Sequence, residues 1–141
     1  MAVSGTGSVA LAADTSYGQI ATIGGNTETV EEVASIKMST EAKVREYFSD
    51  IPVLIQVARC ESTFRHTLAD GSVLKGKVDS RDTGVMQINT YYHGTEAAKL
   101  GLDLTVLEDN MAYARNLYER QGTQPWSASA PCWSGHVATA Q

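Results

Sequence analysis

The sequence predicts a mainly helical α+β domain with one small β-hairpin, and three observations point to it. Apolar residues recur at helical spacing on either side of Pro52 and again between Thr105 and Gln121. Between Phe64 and Asp82 that period disappears. Within this gap Asp70-Gly71, a strong two-residue hairpin signal, stands between Thr67-Leu68-Ala69 and Ser72-Val73-Leu74. Helices packed around one small β element make an α+β class.

Residues 1–38 are rich in Gly, Ser, Thr and Ala, hold one aromatic (Tyr17), and set Asp14, Glu28, Glu31 and Glu32 against Lys37. Such a segment has little to bury and is expected to be a flexible arm or linker. Ala10-Leu11-Ala12-Ala13 has the small-residue look of a signal cleavage site, although no basic region or sustained apolar run precedes it. Removal of a targeting segment is the expectation, with chance likeness the alternative.

The character changes at Thr40, which can cap a helix opening on Glu41 with Val44, Tyr47, Phe48 and Ile51 at helical spacing. Pro52 starts a second, almost wholly apolar helix that reaches Glu61 and belongs in the core. After the hairpin, Thr95 to Leu100 reads as a short helix stopped by Gly101. The clearest helix runs from Thr105 to Gln121, with Thr105-Val106-Leu107-Glu108 as a capping box and Leu107, Met111, Ala114 and Tyr118 as its buried stripe. The expected domain therefore spans 39–133, and residues 134–141 read as a frayed tail.

At 141 residues there is room for one such domain with a real core. The formal charge is −5 and no Lys/Arg cluster exists, which argues against a nucleic-acid partner. No apolar stretch approaches the roughly 18 residues of a membrane-spanning helix. Cys60 and Cys132 are the two cysteines, and His66, His93 and His136 show no zinc-ligand spacing around them. Two separate buried thiols are one reading. In an exported protein a Cys60–Cys132 disulfide is the other.

Glu61 stands out chemically. It lies one turn beyond Val57 and two beyond Leu54, on the apolar side of its helix and at the C-terminal end, where the dipole disfavours an anion. Desolvation and dipole both favour the protonated form, the state a glycosidase general acid requires. The competing reading turns Glu61 outwards or pairs it with Arg59 or Arg65. Asp79 and Asp82 follow the hairpin as turn residues or as a second carboxylate facing the same cleft. Gln87 and Asn89 offer amides suited to sugar hydroxyls and N-acetyl groups. Trp126, Trp133, Tyr91, Tyr92 and Tyr113 could stack on sugar rings, wall in Glu61, or fill the core.

Taken together, these segments resemble the lysozyme-like superfamily, especially the lytic transglycosylases. Arg59-Cys60-Glu61-Ser62-Thr63-Phe64 is similar to that family's helix-ending Glu-Ser-x-Phe segment, and Gly84-Val85-Met86-Gln87-Ile88-Asn89 to its Gly-Leu-Met-Gln segment. Asn110-Met111-Ala112-Tyr113-Ala114 resembles the later helix that completes the cleft. The likeness covers residues 41–133. It implies a lysozyme-like fold, Glu61 as the catalytic acid, and Ser62, Met86, Gln87, Asn89, Tyr113 and Trp126 against the substrate. That substrate would be the peptidoglycan glycan strand, cut at the β-1,4 bond between N-acetylmuramic acid and N-acetylglucosamine. No cofactor or metal is implied, and an extracytoplasmic monomer is expected.

Two departures leave the branch open. Asp82-Thr83-Gly84-Val85-Met86-Gln87-Ile88-Asn89 is also similar to the animal-type lysozyme segment that carries a second carboxylate. The Ala-Tyr-Asn run of transglycosylases is replaced by Trp126-Ser127-Ala128-Ser129. A lytic transglycosylase using Glu61 alone is the first expectation. A retaining muramidase using Glu61 and Asp82, or an inactive glycan-binding module, are the alternatives.

Overall fold

The computed structural model describes residues 22–23, 26–27 and 37–137. The signal-like Ala10–Ala13, most of the expected arm, and residues 138–141 lie outside the described residues. The chain divides into two units, Met1–Met38 and Ser39–Gln141. In the first, β1 (Thr22–Ile23) pairs antiparallel with β2 (Asn26–Thr27), a ladder absent from the sequence reading of this arm.

The second unit is mainly helical with a small two-stranded sheet. Helix α1 (Thr40–Tyr47) is capped by Ser39, not Thr40: the Ser39 hydroxyl accepts the Ala42 N–H at 3.1 Å. It buries Val44, and Phe48 follows into the core. Helix α2 (Pro52–Ser62) opens on Pro52, whose missing N–H costs nothing in a first turn. Leu54, Val57, Ala58 and Ser62 are its buried residues. It stops abruptly, because Thr63 and Phe64 take φ of 52° and 58° and turn the chain away directly after Glu61-Ser62.

The expected hairpin is one arm of a ragged antiparallel meander. Bridges join Thr67 to Val73 and Lys75 to Thr83, and β3 (Asp82–Thr83) pairs with β4 (Ile88–Asn89). The Asp70-Gly71 turn is a three-residue connection and not the two-residue one expected. Leu68 N–H donates to the Ser72 carbonyl at 2.8 Å, and Gly71, at φ 85°, donates back to the Leu68 carbonyl at 3.0 Å. The Asp70 carboxylate accepts both the N–H and the hydroxyl of Ser72, which favours this wider turn.

Helix α3 (Thr90–Lys99) begins five residues before the predicted Thr95. Its cap is Asn89, whose Oδ1 accepts the Tyr91 N–H at 3.0 Å. Helix α4 (Leu107–Gln121) lacks the expected capping box. Asp103 takes the Thr105 hydroxyl at 2.7 Å and its N–H at 2.9 Å, and Glu108 pairs with Lys43 at 2.7 Å. The buried face is rotated as well: Asn110, Met111, Tyr113, Ala114 and Leu117 are inside, whereas Leu107 and Tyr118 are half-buried. Arg115 on α4 locks the α1–α2 corner, donating to Asp50 at 2.8 and 2.9 Å and to the Tyr47 carbonyl at 2.6 Å.

A 3₁₀ segment (Gln124–Ser129) leads into helix α5 (Ala130–Val137). The predicted frayed tail is thus helical through Val137. Helix α5 packs on α2, and the Cys60–Cys132 disulfide, S–S 2.06 Å, joins the two, which settles the fate of the cysteines. Sixteen buried apolar side chains from all of these helices and the β3–β4 turn form one core.

The disulfide spans 72 residues, so it removes much loop entropy from the unfolded chain. The Cys60→Ser/Cys132→Ser double variant should lose about 4 kcal/mol of stability. Urea unfolding should show the loss as a lower midpoint with a steeper slope, because the unfolded chain freed of the crosslink exposes more surface.

Candidate functional site

Glu61 sits where α2 meets the 3₁₀ segment. It is half-buried, as its place on the apolar side of the helix leads one to expect. Neither arginine that could have drawn it outwards does so. Arg59 Nε donates to Gln56 at 3.0 Å, and Arg65 Nε donates to the Ser62 carbonyl at 3.2 Å. The partner of Glu61 is instead the Ser129 hydroxyl, 2.5 Å from Oε1.

Burial is the chief cause that raises the Glu61 pKa above the ordinary carboxylate value. The Ser129 hydrogen bond works against it, and the negative charge of Asp82 adds to it. Ser129 Oγ also lies 3.1 Å from the Trp126 carbonyl. One hydroxyl has one proton to give and two lone pairs. It can donate to Trp126 while accepting from a protonated Glu61, or rotate and donate to the carboxylate. The same residue thus satisfies both protonation states.

The second carboxylate is brought in by the β3–β4 ladder, and that ladder hangs on a buried polar knot. Asn110 Nδ2 donates to the Thr83 and Leu104 carbonyls, each at 2.9 Å, and its Oδ1 accepts the Met86 N–H at 3.0 Å. His66 Nδ1 accepts the Val85 N–H at 3.1 Å, which leaves its Nε2–H for the Thr105 carbonyl at 2.8 Å. The chain crosses this knot at Gly84 with φ 76°, where a Cβ would lie 2.5 Å from Asn110 Nδ2 and 2.6 Å from His66 Cε1. Only glycine fits. The turn closes at Gln87, a non-glycine residue at φ 50°, whose side-chain amide donates to the Gly84 carbonyl at 2.8 Å.

Opposite Asp82 in the ladder stands Asn89. Its amide donates to Asp82 Oδ1 at 2.9 Å and to Asp79 Oδ2 at 3.0 Å. Asp79 is otherwise committed to Arg81 at 2.8 Å, whose hydrogen bonds hold its pKa far below the usual range.

Glu61, Asp82 and Gln87 line two lobes of a groove that share these three residues. One lobe, about 270 Å³, continues past Asn89, Tyr92, His93, Pro125 and Trp126. The other, about 370 Å³, runs past Ser62, Arg65 and the 74–78 segment. Two carboxyl groups at the junction of an elongated groove, one of them biased towards its acid form, can protonate a bridging atom of a ligand that lies across both lobes.

Of the residues expected here, Glu61, Asp82 and Gln87 stand at the junction, Asn89 and Trp126 line the first lobe, and Ser62 lines the second. The Ser62 hydroxyl, however, is spent on the Ala58 carbonyl at 2.9 Å. Met86 and Tyr113 line neither lobe; both are fully buried. Met86 fills the core and accepts the Trp126 indole N–H on its carbonyl at 3.0 Å, while the Tyr113 hydroxyl reaches His93 Nδ1 at 3.2 Å. Their contribution is to position Trp126 and His93. Trp133 is likewise core, and Tyr91 is exposed under Arg81. Ser129 and His93 were not singled out from sequence, since a Ser in an Ala-Ser run and an isolated His carry no pattern. No protein-family model matches the chain, and comparison with curated proteins and with solved structures gives no match.

Because its folded-state pKa is raised, Glu61 favours the folded state in its protonated form, and that benefit fades as pH rises through the folded value. The Glu61→Gln variant should therefore match wild type in acid and become the more stable of the two at higher pH, as followed by urea unfolding across pH. Ser129→Ala removes the hydroxyl bond, the influence that lowers the pKa of the acid, so the Glu61 side-chain carboxyl should titrate at higher pH than in wild type by ¹³C NMR.

Proposed function

We propose that this groove cleaves the β-1,4 bond between N-acetylmuramic acid and N-acetylglucosamine in peptidoglycan, with Glu61 as general acid and then base. The observation that carries the reading is the half-buried Glu61 at the junction of the two lobes, facing the charge of Asp82. A glycan laid through the groove presents its bridging oxygen to a carboxyl group that burial biases towards its acid form. Proton delivery makes the leaving sugar a neutral alcohol, and the remaining ring passes through an oxocarbenium-like state. The Ser129 hydroxyl then holds the new carboxylate in place for its turn as base. The resemblance of the Glu61-Ser62 and Gly84–Asn89 segments to the lysozyme-like superfamily supports the same substrate. The disulfide fits an extracytoplasmic site of action.

Two routes complete the reaction. The transglycosylase-like segments favour attack by the sugar's own 6-hydroxyl, giving a 1,6-anhydro end. One structural observation favours the second route, a retaining hydrolase: Asp82 lines both lobes beside Glu61 and is fixed by Asn89, where it can stabilise or trap the oxocarbenium-like centre.

Glu61→Gln should lower clearance of a peptidoglycan suspension by at least about 100-fold, since the amide cannot deliver a proton. Wild-type clearance by that variant would refute the assignment. The activity of the wild type should fall on the alkaline side as Glu61 ionises, at a pH above that of an ordinary glutamate. Mass spectrometry of the products separates the routes: anhydro ends that persist in Asp82→Asn mark the transglycosylase. Reducing ends, lost with activity in Asp82→Asn, mark the hydrolase.

A further inference from the structure

The two lobes differ in charge. The first, past Tyr92 and Trp126, contains no lysine or arginine. The second is lined by Arg65, Lys75 and Lys77, and its only acids are Glu61 and Asp82 at the junction. This concentration of cations is out of keeping with a chain whose formal charge is −5.

None of the three cations forms an ion pair among the described residues, where the ion pairs take up Lys43, Arg45, Arg81, Lys99 and Arg115. Arg65 is anchored through Nε, which lies 3.2 Å from both the Ser62 carbonyl and the Thr63 hydroxyl, and among the described residues its terminal amino groups meet no carboxylate. Lys75 donates to the Thr83 hydroxyl at 2.9 Å, a neutral partner that fixes the ammonium beside β3 without an ion pair. Because Lys75 bridges Thr83 in the meander, its place relative to Asp82 is set by the same ladder that sets the carboxylate. An ammonium and a guanidinium held this way, with neighbouring Lys77, are equipped to meet an anion carried by a ligand in this lobe.

We infer that the Arg65–Lys75–Lys77 lobe is a subsite for a carboxylate carried by the glycan, and that it orients the strand through the groove. The inference rests on the proposed glycan-cleaving reading of the same cleft. In that substrate two carboxylates are available, the lactyl group of N-acetylmuramic acid and the carboxyl groups of a peptide stem. The lobe selects glycans that bear them over neutral polymers of N-acetylglucosamine, and the uncharged aromatic lobe takes the unsubstituted side.

The test uses the full chain with Glu61→Gln, so that ligands are bound and not cut, and calorimetric titration with four probes. These are peptide-free strands with free lactyl carboxylates, strands that keep their stems, the methyl esters of both, and neutral chitin oligosaccharides. Esterification should weaken binding by about fivefold to tenfold, the sum of two or three exposed charge contacts. Adding Arg65→Gln/Lys75→Gln/Lys77→Gln should abolish that difference, and Lys99→Gln, which lines neither lobe, should keep it. A preference seen with peptide-free strands assigns the lactyl carboxylate; one seen only with stems assigns the peptide. Equal binding of acids and esters, a preference that survives the triple variant, or no binding of any carboxylated strand overturns the inference. Wild-type cleavage of the same strands is scored separately. Cleavage without discrimination sinks the subsite alone, and discrimination without cleavage sinks the proposed activity and leaves the subsite standing.

Discussion

The floor of the groove hangs from one side chain, the carboxamide of Asn110. It is fully buried, and all three of its hydrogen bonds go to main-chain groups around the β3–β4 turn and the approach to α4. Buried polar groups of this kind are costly when any partner is missing and rigid when all are present. Among the described side chains no buried nitrogen or oxygen lacks a partner, so the knot is of the second kind. With His66 it fixes Thr83 to Met86, and through that turn it fixes Asp82, Gln87 and the carbonyl that receives Trp126. The same turn thereby positions groups on both sides of the groove.

Glu61 reaches the junction by an independent route. The abrupt end of α2 and the packing of α5 bring Ser129 and Glu61 together from residues 68 apart in the chain. Three influences act on the acid, and burial is the largest. Asp82 pushes in the same direction, so the loop that brings the second carboxylate also helps keep the first one protonated. Only Ser129 opposes them, and its hydroxyl can serve either form. The geometry lets this group change protonation state without losing its place.

What could be read from sequence follows a physical divide. Helices with a strong apolar period, α1, α2 and the body of α4, were legible because burial of one face dictates their residues. Glu61 was legible for the same reason, as a charge on an apolar face. Features set by side-chain to main-chain bonds were not. The start of α3 depends on Asn89, the failed capping box on Asp103 and Lys43, and the rotated face of α4 on the polar Asn110, which a hydrophobic pattern places outside. Met86 and Tyr113 mark the same divide from the other side. Their segments border the groove, but pattern alone does not say which side chain of a turn or helix faces in. The helical course through Val137 was missed because α5 is held by a crosslink and by Trp133, not by an amphipathic repeat.

Gly84 carries a consequence for how this groove can diversify. Its Cβ-sized gap is already filled from two sides, by a carboxamide and an imidazole that are each committed to other bonds. Any side chain there must dislodge a residue that serves the rest of the turn, so position 84, with Asn110 and His66, can change only as a set. Single-step drift across the knot is closed. Variation in the lining of the groove is freer along its walls, at exposed positions such as Lys77 and Val78, where a new side chain displaces mainly solvent. The fold thus separates a part that is frozen by collective commitment from a rim that is free to adapt.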